Sequence, residues 1–188
     1  MSFPKPYADA VAKLRVPCGF VLVAAFLWLS TPTLGSLAWG FPVSTLGLAL
    51  RAWAAGHLEK NTTLADGGPY AYVRNPLYIG TLMTAAGLVI ASRRWELGVL
   101  FAAVFLLIYL PVVELEEQHL RSLFPEYVDY AHRVPKLLPN LLRANLANDG
   151  SSPKRFRWSI YMRNQEYQAL LGFLVGATVL AWKALHFR

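Results

Sequence analysis

Hydrophobic residues in this chain fall into long blocks, not into a repeat of 3.6 or 2. From Val16 to Leu50 there is no charged side chain. A single helix over that 35-residue run would be about 52 Å long, against a hydrocarbon core of about 30 Å. The turn-forming string Thr31-Pro32-Thr33-Leu34-Gly35-Ser36 divides the run into a helical hairpin. A second block, Asn75 to Val113, is interrupted only by Arg93, Arg94 and Glu96 and predicts another hairpin. A third, Tyr167 to Trp182, predicts a single span. Lipid offers the backbone no hydrogen-bond partners, so each span must be helical. The pattern predicts an all-α, polytopic integral membrane protein of one domain over residues 1–188. It has about five transmembrane helices, near residues 13–31, 36–56, 76–92, 96–113 and 167–185. The third and fifth lie near the lower length limit, which implies little tilt or partial interfacial placement. Lys5, Lys13 and Arg15 precede the first apolar stretch as in a signal peptide. No small-residue cleavage pattern follows and another span begins at once, so an anchor is predicted.

Composition agrees with this and narrows it. The 188 residues are 55% hydrophobic and 15% charged, with mean hydropathy +0.36, too apolar for an ordinary soluble domain. The single Cys18 has no internal disulfide partner and reads as an apolar filler. The net charge of +7 is informative through its distribution. With the N-terminus cytoplasmic, fourteen of the Lys and Arg residues fall on the inner side. Only Arg93, Arg94, Lys183 and Arg188 fall on the outer side, together with the C-terminus. That split follows the positive-inside bias. The basic run Lys154-Arg155-Phe156-Arg157-Trp158 then reads as a lipid-headgroup contact, and no nucleic-acid partner is expected.

Two non-spanning segments, 57–75 and 114–166, both fall on the inner side. The second carries an amphipathic stretch from Glu114 to about His132, then Val134-Pro135-Lys136-Leu137-Leu138-Pro139, then a polar loop from Asn145 to Pro153. Polar chemistry is thus expected on one membrane face, where a soluble cofactor meets a lipophilic substrate.

The most informative string is Gly67-Gly68-Pro69-Tyr70-Ala71-Tyr72-Val73-Arg74-Asn75-Pro76-Leu77-Tyr78-Ile79-Gly80. Asn75-Pro76 predicts a helix start, since Asn is a preferred N-cap and Pro suits the first helical position. The amides of that helix end form an anion site, and Arg74 adds a bidentate charge contact. The same residues also fit a plain cap with interfacial tyrosines and a snorkelling arginine, and physics alone leaves both readings open. The second feature is Glu114-Leu115-Glu116-Glu117, at the end of the fourth span. Carboxylates there oppose the helix dipole, which suggests a use. Glu117 reads as a solvated residue paired with Arg121, and Glu116 as the functional one. His57, His119 and His132 show no metal-ligand pattern, and no metal site is expected. No residue stands out as catalytic.

The long string resembles the motif of the isoprenylcysteine carboxyl methyltransferase family and its bacterial relatives: Gly-Pro-Tyr, then Arg-Asn-Pro, then Tyr and Gly. The downstream pattern matches as well, with a Glu-Glu pair, Phe124, Glu126-Tyr127, Tyr130, Val134-Pro135 and Pro139. The resemblance covers about residues 45–140. It implies several membrane helices around a cytoplasmic-face pocket for S-adenosyl-L-methionine. Carried over position by position, the cofactor contacts are Thr62, Thr63, Leu64, Ala65, Tyr70, Asn75, Pro76, Leu77 and Tyr78, with Glu116 as the acidic contact. Arg74 joins them on the physical argument above. Two positions depart from the pattern. Asn75 stands where the eukaryotic enzymes carry His, and can cap but not titrate. Val112 replaces the substrate-side Arg one turn before Glu116, so prenyl-cysteine carboxylate is not carried over as substrate.

The resulting expectation is methyl transfer to a lipophilic small molecule or lipid in the bilayer. The alternatives are phospholipid N-methylation, NADPH-dependent reduction of the sterol type, and a non-catalytic membrane module. The acceptor, the methylated atom and the oligomeric state are not legible.

Overall fold

The structure, a computed structural model, describes residues 5–139 and 155–186. The expected polar loop from Asn145 to Pro153 and Lys154 lie outside the described residues. The described chain is helical, with no strand among its elements. The helices are α1 (Lys5–Leu29), α2 (Leu34–Ala55), α3 (Pro76–Ser92), α4 (Trp95–Val104), α5 (Leu110–Leu123), α6 (Tyr127–Arg133), α7 (Trp158–Arg163) and α8 (Tyr167–His186). A π-helical segment, Phe105–Tyr109, joins α4 to α5, so one helix runs continuously from Trp95 to Leu123.

Two helices, Trp95–Leu123 and Tyr167–His186, are long and apolar enough to cross a membrane, and Val16–Leu29 and Pro76–Ser92 are shorter apolar helices. Helix ends follow the local signals. The break between α1 and α2 falls on the Thr-Pro-Thr string, and α3 begins at Pro76. The fourth helix differs from expectation, because it does not stop at residue 113 but continues through the glutamates to Leu123. Helical propensity and backbone hydrogen bonding carry it beyond the apolar stretch.

The chain divides into two compact units. The first comprises residues 1–45, 84–119 and 172–188. Its helices approach closely through small residues. A Cβ on Gly87 would lie 2.5 Å from Gly40 O and from Ser44 N, and a Cβ on Gly40 would lie 2.6 Å from Ala91 N. Gly40 and Ser44 on α2, and Gly87 and Ala91 on α3, form small-residue pairs at i, i+4, the spacing that lets helix backbones meet in lipid. Ser44 Oγ donates to Thr84 O (2.9 Å) and Ser36 Oγ to Ala91 O (2.8 Å) across that seam. The π segment lies just before Pro111, which interrupts the helical hydrogen-bond ladder. Proline has no N–H for Leu107 O, and the Tyr7 hydroxyl donates to that carbonyl instead (2.7 Å).

The second unit comprises residues 46–83 and 120–171. Its core is one cluster of Leu64, Phe124, Tyr127, Tyr130 and Val134, and another of Ala54, Ala65 and Tyr70. Tyr127 is 1% exposed.

Candidate functional site

Ten of the eleven candidate residues fall in the second unit, between the loop after α2 and the first turn of α3. The loop owes its shape to a few local devices. Gly68 adopts φ +59°, left-handed backbone that favours glycine, and a Cβ there would lie 2.6 Å from the His57 ring. A single 3₁₀ turn, Gly68–Ala71, follows, with Pro69 and Tyr70 buried. The chain then extends to Asn75 and enters α3, whose first turn closes as Tyr78 N donates to Asn75 O (3.1 Å). The Tyr78 amide expected to face an anion is thus drawn back into the helix end.

The downstream string holds this segment in place. Arg74 N donates to Pro135 O (2.9 Å), and Asn75 Nδ2 donates to Lys136 O (3.2 Å). The Tyr130 hydroxyl, buried, donates to Tyr70 O (2.8 Å). Burial pushes the Tyr130 phenol well above its ordinary range, and the neighbouring Tyr127 and Tyr70 add to the shift. It stays a neutral donor across the physiological range.

The candidates therefore divide by exposure. Leu64, Ala65, Tyr70 and Pro76 are buried, Leu64 in the cluster with Phe124 and Tyr127, and Ala65 and Tyr70 in the cluster with Ala54. Arg74, Asn75, Leu77 and Tyr78 are half-buried, and Thr62 and Thr63 are exposed.

Glu116 lies in the first unit, on α5, and its side chain is exposed. Its neighbour Glu117 overturns the expectation of a solvated residue, because it is 3% exposed. Consecutive helical positions differ by about 100°. Only one of the pair can face inward, and the residue that does is Glu117.

Sequence reasoning passed over several groups that shape the second unit. Arg51 Nη2 donates to Glu166 Oε2 (2.7 Å) and Oε1 (2.8 Å), and its Nη1 reaches Thr81 Oγ1 and Leu77 O (3.4 Å). Asn164 Nδ2 donates to Ala55 O and Leu58 O, both at 2.9 Å, and so caps the end of α2. A lone Arg within an apolar run and a lone Glu ahead of the last span were the available signals. Within the basic run, Arg157 pairs with Glu59 and its amide donates to Gly56 O (3.0 Å), so this residue also tethers the end of α2. Trp158 beside it is exposed.

Residues 43–127 match the family model described as phospholipid methyltransferase. Over 111 residues the chain is 37% identical to the cobalt-zinc-cadmium resistance protein CzcN of Cupriavidus metallidurans, covering 58% of this chain and 49% of that one. It is 34% identical over 116 residues to the nickel-cobalt-cadmium resistance protein NccN of Alcaligenes xylosoxydans xylosoxydans, covering 61% and 53%. A protein-S-isoprenylcysteine O-methyltransferase of Schizosaccharomyces pombe is 28% identical over 145 residues, covering 74% and 61%. The aligned region spans about half to three fifths of the length of these curated relatives. No solved structure gives a significant match.

Proposed function

We propose that this chain, whose residues 43–127 match the phospholipid methyltransferase model, is an S-adenosylmethionine-dependent membrane methyltransferase acting on a lipophilic or membrane-embedded acceptor. The kinship with isoprenylcysteine carboxyl methyltransferases read from the motif strings is borne out by the family match and the yeast relative. Five membrane crossings and a cytoplasmic placement of the 62–78 segment belong to the same proposal. The names of the two bacterial relatives speak of metal resistance, and only methyl transfer is carried over from the family.

The observation that carries the reading is the tie between the two motif strings: Arg74 N to Pro135 O, and Asn75 Nδ2 to Lys136 O. A tether of this kind fixes the segment that carries Arg74, Asn75 and Tyr78 against residues 135–136. When bound, S-adenosylmethionine supplies a methyl group activated on a sulfonium. The residues of the chain bind and orient. Thr62 and Thr63 offer hydroxyls, Arg74 offers a guanidinium suited to a carboxylate, and the tyrosines offer aromatic faces to a cation. Glu116 is proposed as an acidic contact on the family resemblance alone. Fixing reacting groups in line contributes on the order of 7–11 kcal/mol, so positioning is the main demand on the protein. Val112 is buried at the position of the family arginine. The acceptor is accordingly recognised by its apolar body and not by a carboxylate.

Thermal-shift measurements on the purified chain test this reading, since a ligand stabilises according to its occupancy. S-adenosylhomocysteine should raise the melting temperature and NADPH should not. By calorimetry Tyr78→Ala and Glu116→Ala should each weaken S-adenosylhomocysteine; unchanged affinity in both would refute the site. Labelled-methyl transfer into a native lipid and metabolite extract then identifies the acceptor.

A further inference from the structure

The first unit contains a cavity of about 850 Å³, apart from the residues assigned above to methyl transfer. It is lined by the α1–α2 turn together with Arg93, Arg94 and Lys183. These are three of the four basic residues that the sequence assigns to the outer side, drawn from two distant parts of the chain. Their roles differ. Lys183 Nζ donates to the carbonyls of Leu27 (2.9 Å), Trp28 (3.1 Å) and Ser30 (2.6 Å). All three of its protons are thereby spent on the C-terminal end of α1, where a cation is favourable.

Arg93 and Arg94 are exposed. Among the described residues neither guanidinium makes a hydrogen bond or ion pair with a side chain or carbonyl. The turn that carries them is firmly built. Arg93 takes φ 56°, Arg94 N donates to the buried Ser92 Oγ (3.2 Å), and Thr31 N donates to Ser92 O (3.0 Å). Two planar forks are thus presented by a fixed turn into a cavity that already carries a third positive charge. Phosphate and carboxylate oxygens both match that geometry, and phosphate is the one that a bilayer surface carries in abundance. The surroundings identify what carries the phosphate. Trp28 is 86% exposed, Trp95 73% and Trp182 52%, so indole rings border the same basic residues. Exposed tryptophans beside arginines are the signature of the headgroup level of a bilayer. Trp28, Leu29 and Leu34 add an apolar wall to the cavity.

We propose that Arg93 and Arg94 form a binding site for the phosphate of a membrane phospholipid, with the apolar wall taking the glycerol and upper acyl region. The site depends on the chain lying in a bilayer and not on methyl transfer.

Native mass spectrometry of the full chain in a non-ionic detergent, titrated with phosphatidylglycerol, tests the proposal. Wild type should retain the lipid. The double variant Arg93→Asn/Arg94→Gln, whose Asn tolerates the left-handed backbone, should weaken retention on the order of tenfold or more. Its lipid-free melting temperature should stay that of wild type, because neither side chain is used in the fold. Diacylglycerol, which lacks the phosphate, should be retained far less. Equal retention of diacylglycerol, or full retention of phosphatidylglycerol by the double variant, overturns the site. Inorganic phosphate that displaces the lipid at equal concentration would show a free-anion site and overturn the lipid assignment. Cofactor binding by the double variant, followed by S-adenosylhomocysteine thermal shift, separates failure here from failure of the methyltransferase reading.

Discussion

Arg51 on α2 and Glu166 just before α8 stand 115 residues apart in the chain and meet in a two-pronged ion pair. Both side chains are largely shielded, at 22% and 14% exposure. Through Thr81 Oγ1 and Leu77 O the same guanidinium reaches the first turns of α3. One charged group therefore ties α2, the first turns of α3 and the turn that precedes α8. Removing one partner of a fully buried pair costs about 3–5 kcal/mol, and partial exposure here lowers that to about 2–3 kcal/mol. Arg51→Met and Glu166→Leu should each destabilise by that amount. The double variant should recover a large part of the loss, because no uncompensated charge remains. A double-mutant cycle by thermal unfolding in detergent checks this, and additive losses would mean that the pair does not act as a unit.

The seam between Gly40 and Gly87 should be intolerant of even one methyl group. A Cβ at either position meets the backbone of the facing helix, which cannot rotate away. Gly87→Ala should cost about 1–3 kcal/mol through forced separation of the helices. Gly172→Ala and Gly176→Ala, on α8 with open space at the Cβ, should be neutral or slightly stabilising. Melting temperatures of the three variants decide it, and equal values would show that the seam is not close-packed.

Tyr130 links the loop to α6 and should give stability a dependence on alkaline pH. Its phenol is raised in the folded state, by burial first, while the unfolded chain ionises near the ordinary value of 10.0. The contribution is complete below pH 10 and falls as pH rises beyond it, because the unfolded state then binds fewer protons than the native state. Tyr130→Phe should lose about 1–2 kcal/mol at neutral pH, since Tyr70 O loses its donor. It should also flatten the alkaline decline. An unchanged decline in the variant would place the titrating group elsewhere.

Glu117 and Glu116 should respond oppositely to truncation. A carboxylate 3% exposed must be satisfied by the protein, so Glu117→Ala should destabilise by about 2–3 kcal/mol. Glu116→Ala, on an exposed helical surface, should change stability by less than about 0.5 kcal/mol. Its expected effect is on cofactor affinity alone. Denaturation of both variants, read beside S-adenosylhomocysteine calorimetry, checks the pair. A stability loss at Glu116 larger than at Glu117 would contradict the observed burial.

Taken alone, the sequence determined what is decided within a few residues or by the solvent. Apolar blocks too long for one helix marked where helix breaks had to fall, after Leu29 and after Ser92. Pro32 and Pro76 marked helix boundaries because proline lacks an N–H and fixes φ. The motif strings around Tyr70–Tyr78 and Phe124–Pro139 were visible as strings. What they do to each other was not: that Asn75 reaches Lys136 O, or that Tyr130 holds Tyr70 O, depends on which surfaces pack. Tertiary structure alone decided that Glu117 is buried and Glu116 exposed, that Arg51 meets Glu166, and that Tyr7 serves the carbonyl left by Pro111. Arg93, Arg94 and Lys183 share one cavity for the same reason. Each of these pairings joins groups distant in the chain or chooses between adjacent ones, and helical periodicity carries no information about the partner across the interface.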